Sequence, residues 1–364
     1  MTAPSRDRAS RTVVALPVRD EEARLGPCLE ALFGGTARPD AAIVLLNNCT
    51  DGSECIAHEA AERLPVHVIA CRLPPELANA GHARTLAMRH ADAMCEPHDV
   101  LLTTDADGVV APGWLAANLA AFAAGAEAVC GRAVIDPVEA LLIPAHLHED
   151  DARETTLTRL LDEIAARIDP DPADPWPRHT EHSGASIAVR CGLYRRASGL
   201  PPRASGEDRA FVEALQRLDA RLRHAPDAFV TVSGRTEGRA RNGMADAIRR
   251  RIMRQDDLTD ERLEPAWSAW RRVLLRARAR RLWVRGGHTP PGDLAADLGM
   301  DGAVVEGLLR GPYFGAAWSA LSALSPRLAR RRVAFTALPA EIEAATRLLD
   351  GLRRAPAALL LDAR

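Results

Sequence analysis

In its amino-terminal third the chain alternates short, almost continuous apolar runs with stretches of helical periodicity. Thr12 to Leu16 reads as a strand that Pro17 ends, and a helix over about 22–33 follows with Leu25, Leu29 and Leu32 on one face. Ala42 to Leu46 is a second strand, 52–64 a second helix, Val66 to Ile69 a short third strand, and 80–94 a third helix. Asp99 to Thr103 is the fourth strand. A helix over 112–124 opens on Pro112 in its first turn, and Ala128 to Gly131 is a fifth strand. Apolar strands without polar alternation, separated by helices, predict a mostly parallel sheet covered on both faces. Such a sheet binds ligands beyond the carboxyl ends of its strands.

The pattern then changes. Residues 136–180 hold a polar helix (about 149–168) and the proline-rich run from Asp169 to Pro177, and read as an inserted lid or acceptor-side segment. Strand-like sequence resumes at Ala185 to Val189, a short helix starts near Gly206, and Phe229 to Val232 is a last strand. From about Asn242 onward the pattern is helical, with arginine-rich faces. The expected organisation is a flexible tail over 1–10, an α/β domain over 11–240 that contains the 136–180 insertion, and a helical region over 241–364. No internal repeat is visible.

A length of 364 residues suits about two domains. The net charge of -2 gives no basic field to recruit nucleic acid or membrane. The chain has no lysine, so all 47 basic residues are arginine, and a Walker-A or Schiff-base lysine is excluded. Phosphate binding must use arginine, backbone amides or metal. The 7 cysteines form no C-x-x-C pair, which with the polar start of the chain leads to the expectation of a reduced, cytoplasmic protein. The longest apolar stretch, Ala111 to Cys130, is broken by Asn118, Gly125 and Glu127, so no transmembrane segment is expected.

The segment Leu101-Leu102-Thr103-Thr104-Asp105-Ala106-Asp107-Gly108 carries the most chemistry. Two carboxylates two residues apart at the end of a buried strand suit a hard divalent cation held against a diphosphate; a solvated turn has the same composition. His146, His148 and Asp150 have the H-x-H-x-D spacing of binuclear metallohydrolases, which needs a loop directly after a strand, whereas the preceding residues 138–144 look helical. Leu294 to Leu309 has the outline of a helix-turn-helix, which is also a common packing unit.

Four segments together resemble a family-2 glycosyltransferase of the GT-A (Rossmann-like) fold. Pro17-Val18-Arg19-Asp20-Glu21-Glu22 resembles the family's Pro-x-x-Asn-Glu-Glu turn, with Asp20 for asparagine. Asn47-Asn48-Cys49-Thr50-Asp51-Gly52-Ser53 resembles its Ser-Thr-Asp-Gly-Thr segment, with Asn47 where an aspartate usually accepts from the base. Asp105-Ala106-Asp107 resembles the D-x-D strand end, and Gly206-Glu207-Asp208 the start of the catalytic helix. The resemblance covers about 13–239.

It implies an inverting transfer of a sugar from a nucleotide diphosphate sugar to a hydroxyl acceptor, of hexosyltransferase type, with Mg²⁺ or Mn²⁺ as cofactor. Asp208 is implied as general base, Asp107 as metal ligand, and Asp105 as a contact to metal or ribose. Pro17, Val18 and Glu21 are implied to line the base and ribose pocket. Asn47 and Asp51 face the base end, Asp51 serving equally well as a helix cap. Gly81 is implied to belong to the nucleotide-sugar site, Arg84 to reach the diphosphate or the ribose, Arg235 and Arg239 to close over the diphosphate, and His179, His182, Ser183 and Glu207 to lie on the acceptor side. A GT-A-like nucleotidyltransferase and a non-catalytic nucleotide-sugar binding protein remain as alternatives. The donor sugar, the acceptor and the oligomeric state are left open.

Overall fold

In the computed structural model, residues 10–235, 252, 259–286 and 292–354 are described. They fall into two compact units. The first comprises Met1–Leu142, Glu181–Leu215 and Arg221–Ile248; the second comprises Ile143–Thr180, Gln216–Ala220 and Arg249–Arg364.

The first unit is built on an eight-stranded sheet flanked by helices. Its strands are β1 (Thr12–Val18), β2 (Ala41–Asn47), β3 (Val66–Cys71), β4 (Val100–Thr103), β5 (Val109–Val110), β6 (Ala128–Ile135), β7 (Ile187–Arg190) and β8 (Leu222–Val232), in the order β3-β2-β1-β4-β7-β6-β8-β5. The run β3-β2-β1-β4 is parallel, as the buried apolar strands predict. Beyond it the sheet is mixed. β7 runs antiparallel to both β4 and β6, and β5 antiparallel to β8. The residues of β1, β2 and β4 are almost wholly buried because both faces are covered. The helices are α1 (Leu25–Gly34), α2 (Ser53–Ala61), α3 (Ala80–Asp92), α4 (Trp114–Ala123), the single turn α5 (Pro137–Ala140), α6 (Ala145–Ile168, which belongs to the second unit), α7 (Cys191–Arg196) and α8 (Glu207–Arg217). One core joins Leu25, Leu29 and Leu32 of α1 with Val14, Leu16, Val44 and Leu102 of the strands and Trp114 of α4. The polar pins lie at the amino ends of the strands: Asp40 accepts from Thr12 N, and Asp99 from Arg11 N, at 2.7 and 2.8 Å.

The second unit is helical. Besides α6 it holds α9 (Ala266–Val284), α10 (Gly292–Leu298), α11 (Gly302–Leu309), α12 (Phe314–Leu324) and α13 (Leu338–Arg354). The segment expected as an insertion into the α/β domain packs here from residue 143 on. Leu157, Ile164 and Ile168 of α6 share a core with Ala266, Ala277, Leu338 and Leu349. The helix also starts earlier than expected, at Ala145. His146, His148 and Asp150 therefore lie in helix, where residues two apart point to opposite sides, so they cannot converge on metal ions as a metallohydrolase requires. The glycine turn between α10 and α11 is present, with Gly299 at φ +65, and Leu294, Leu298, Val305 and Leu309 are buried in this unit's core. Among the described residues no helix is long and apolar enough to cross a membrane.

Candidate active site

The carboxyl ends of β2, β1 and β4 are neighbours, and Pro17, Val18, Glu21, Asn47, Asp51 and Asp105 lie on or just after them; Gly81 and Arg84 are in α3, and Arg235 follows β8. Two loops there are laced together. Asp20 and Asn48 take left-handed backbone at φ 52 and 55. Asp20 accepts from Thr50 N at 2.7 Å, Asp51 from Glu22 N at 2.9 Å, and Glu22 from Gly52 N at 2.9 Å. Asp51 also accepts from Ser53 N at 3.0 Å, so it organises the entry to α2. Val18 is buried at the end of β1, with Pro17 partly exposed beside it. Asn47 is 1% exposed, and its Oδ1 has no hydrogen-bond partner among the described residues; the same holds for the buried Thr104 Oγ1 just past β4. An unmade buried hydrogen bond costs about 1–3 kcal/mol. The two lie at the ends of β2 and β4, the strands on either side of β1.

The centre of the network is Arg84. Asn79 caps α3 by accepting from His82 N, and this fixes the turn that carries Arg84. The guanidinium is buried and donates to four groups: Glu207 Oε1 at 2.9 Å, Thr103 Oγ1 at 2.9 Å, Gly184 O at 2.7 Å and Asp105 Oδ1 at 2.6 Å. Burial alone would push its pKa down, but the Asp105 and Glu207 carboxylates more than reverse this and hold it charged. The resemblance implies that Arg84 reaches the diphosphate or the ribose. Four of its five N–H donors are used within the protein, so it acts as the bracket that sets Asp105 against the start of α8.

Asp208 follows Glu207 in the first turn of α8. Its Oδ2 accepts from Gly184 N at 2.9 Å and its Oδ1 from Arg209 N at 2.7 Å. Gly184 is thus shared: its carbonyl meets Arg84 and its amide meets Asp208. A Cβ there would stand 2.6 Å from the Arg84 guanidinium carbon, so only glycine admits the bracket. Gly81, in the first turn of α3, is also hemmed in, because a Cβ would meet Arg203 O at 2.0 Å and Glu207 Oε2 at 2.9 Å. Gly81 therefore makes room for Glu207.

Asp107 faces a second cation. Arg235 grips Glu21 with two hydrogen bonds of 3.0 and 2.6 Å and lies 3.0 Å from Asp107 Oδ2. Burial, then the nearby Asp105 charge, pushes the Asp107 carboxyl up to about 6, against the opposing pull of Arg235. Cys28, which donates to Asp105 O at 3.5 Å, is pushed up by burial and by the charges of Asp107, Asp105 and Glu21. Asp105 and Asp107 fit a hard divalent cation by donor type, and their mutual repulsion is relieved by one. A second group, Asp20, Cys49 and Asp51, has ligand atoms within 4.8 Å of one another and could also hold a metal ion; its carboxylates accept hydrogen bonds from Thr50, Glu22 and Ser53 as well.

The acceptor-side expectations fall in both units. His182 Nε2 lies 3.2 Å from His224 Nε2 with the rings stacked, and Ser183 accepts from Ala185 N at 3.3 Å. His179 is buried in the second unit. Arg239 lies outside the described residues. Three participants had no signal strong enough to find: Thr103, Gly184 and Glu139. Glu139 accepts from Ser233 Oγ at 2.9 Å, Gly234 N at 2.6 Å and Arg24 at 2.6 Å, and so fastens the loop that carries Arg235.

Residues 13–174 match the family model described as Glycosyl transferase family 2. No curated protein matches the sequence. Among solved structures, S. aureus TarS 1-349 in complex with UDP-GlcNAc is 16% identical over 94% of this chain and 92% of that one, with a TM-score of 0.46. The mannosyltransferase PcManGT from Pyrobaculum calidifontis, in complex with GDP-Man and Mn²⁺, is 16% identical over 95% and 88%, with a TM-score of 0.45. Glucosyl-3-phosphoglycerate synthase from Mycobacterium tuberculosis, in complex with phosphoglyceric acid, is 18% identical over 62% and 73%, with a TM-score of 0.41. Over residues 13–174, this chain carries a glycosyl transferase family 2 segment.

Proposed function

We propose that this chain is a metal-dependent, inverting glycosyltransferase of the GT-A type, moving a hexose from a nucleotide diphosphate sugar to a hydroxyl acceptor. One observation carries the reading. A single buried guanidinium, Arg84, joins Asp105 of the D-x-D turn to Glu207, and through Gly184 to Asp208. The acidic pair that suits a metal-bound diphosphate and the acid that suits a general base are thereby parts of one network.

In this reading the base and ribose lie over the ends of β1 and β2, beside Pro17, Val18 and Asn47. The unpaired Asn47 Oδ1 accepts an N–H from the base, and its amide can return a donor to a neighbouring carbonyl. Uracil and guanine both offer that N–H beside C=O edge; adenine and cytosine do not. Asp107, with Asp105, would hold Mg²⁺ or Mn²⁺, which when bound offsets charge on the departing nucleoside diphosphate. Asp208 takes the proton of the acceptor hydroxyl as its oxygen bonds to the anomeric carbon and the bond to phosphate oxygen breaks. One displacement inverts that carbon. Each Asp208 oxygen accepts one amide hydrogen and keeps a lone pair for the acceptor. Glu207 is spent on Arg84, so Asp208 is the acid left for this step.

The test is a thermal-shift screen with UDP- and GDP-sugars, with and without Mn²⁺, followed by product analysis. Binding to the folded state raises the melting temperature by mass action. The expected result is stabilisation that needs both nucleotide and metal, with nucleoside diphosphate released on turnover. Release of pyrophosphate would support a nucleotidyltransferase instead, and no stabilisation by any nucleotide would refute the proposal.

A further inference from the structure

We propose that Arg235 is a displaceable counter-cation that makes metal binding depend on the nucleoside diphosphate. The inference rests on the reading of Asp107 as metal ligand. The carboxylates Glu21, Asp105, Asp107, Glu207 and Asp208 are gathered with two guanidinium groups, and these are used differently. Arg84 is 5% exposed and donates in four directions, so it is fixed. Arg235 is partly exposed, its side chain 25% open, and it reaches Asp107 with one nitrogen at 3.0 Å while the same group holds Glu21.

That contact occupies Oδ2, one of the two Asp107 oxygens that a divalent cation could take. A ligand oxygen sits about 2.0–2.2 Å from Mg²⁺ or Mn²⁺. With the guanidinium nitrogen 3.0 Å from Asp107 Oδ2, two cations compete for one carboxylate. A metal ion arriving alone must either displace Arg235 from Asp107 or sit beside its positive charge. A diphosphate arriving with the metal changes the balance, because its oxygens take the released guanidinium in a bidentate pair. Metal and nucleotide then each assist the other, as linkage requires.

The loop is built for a small excursion of this kind. Glu139 fastens Ser233 and Gly234, and Ser233 Oγ accepts from Arg235 N at 3.2 Å. Gly234 has no room for a Cβ, which would stand 2.7 Å from Ile135 and 3.2 Å from Glu139. The backbone next to Arg235 is therefore anchored while the long side chain swings between Asp107 and the diphosphate. Free enzyme keeps its acidic pair neutralised without metal, and a metal ion without a donor is not retained.

The experiment is Mn²⁺ binding by electron paramagnetic resonance to the full chain, as wild type, Arg235→Gln and Arg235→Lys, each alone and with UDP or GDP. Wild type should bind Mn²⁺ at least about tenfold tighter with the preferred diphosphate, within the usual range of coupling between sites. Arg235→Gln should bind Mn²⁺ alone several-fold tighter than wild type, with the coupling largely gone. Arg235→Lys should restore the weak binding of metal alone. If Arg235→Gln binds Mn²⁺ alone no better than wild type, the proposal is wrong even though the glycosyltransferase reading stands. If Mn²⁺ binds no variant under any condition, the metal reading of Asp107 falls as well, and this inference with it.

Discussion

Replacing Arg84 by methionine removes the bracket at the centre of the site while keeping most of the side-chain volume. Removing one partner of a buried ion pair costs about 3–5 kcal/mol, because the other charge is left uncompensated. Glu207, with a side chain 7% exposed, bears that loss in full; Asp105, 32% exposed, is partly relieved by solvent. Thr103 Oγ1 and Gly184 O also lose a donor. A loss of about 4 kcal/mol is therefore expected for Arg84→Met, equal to about 8 °C in melting temperature at about 2 °C per kcal/mol for a chain of this size. The assay is urea and thermal unfolding followed by circular dichroism. The double variant Arg84→Met with Glu207→Gln removes the stranded charge and should recover at least about 2 kcal/mol, since contacting residues couple by 0.5–3 kcal/mol. Arg84→Lys should be intermediate, because one ammonium cannot span the same fork. If Arg84→Met unfolds with the wild-type midpoint, the guanidinium is not the structural centre described here.

Asp208→Asn should lower transfer by about 10²–10⁴-fold while donor binding by thermal shift changes little, since only the proton acceptor is lost; an unchanged rate contradicts the assignment. Gly81→Ala forces a methyl group against the Arg203 carbonyl and should cost about 1–3 kcal/mol by unfolding, with loss of activity as Glu207 shifts. In the helical unit, burial pushes Asp162 up to about 7, against the pull of Arg178 and the hydrogen bond from Thr180. The folded state then binds more protons than the unfolded state between about pH 4 and pH 7, so stability falls as pH rises through that window. Asp162→Asn should therefore stabilise the protein at pH 8.5 by an amount on the order of 2–4 kcal/mol and leave stability near pH 4 unchanged. Equal effects at both pH values would refute that reasoning.

The parallel half of the sheet is legible because its signal is local, in buried apolar runs of four to seven residues; Pro17 does not end the first of them, because β1 continues through it to Val18, which pairs with Leu46. The reversal of β7 is not legible, because Ile187–Arg190 looks the same in sequence whichever way it runs. The departure of α6 from the α/β unit depends on which core accepts Leu157 and Ile164, and that core comes from residues more than a hundred positions later. In the site, the aspartates and the start of α8 stand out by type and position. The four partners of Arg84 come from residues 103, 105, 184 and 207, which only the fold brings together. In an arginine-rich chain, one buried arginine has no local mark. Glu139 looks like an ordinary acid in a helix's first turn until Ser233 and Gly234 are found on it.

The most direct measurement of the central claim is anomalous diffraction from crystals soaked with Mn²⁺ and UDP or GDP. The account predicts one Mn²⁺ peak about 2.0–2.2 Å from an Asp107 oxygen, bridged to the diphosphate, with the base on Asn47. A peak on Asp20 and Asp51 instead, or a bound nucleotide with no metal at Asp107, would contradict it.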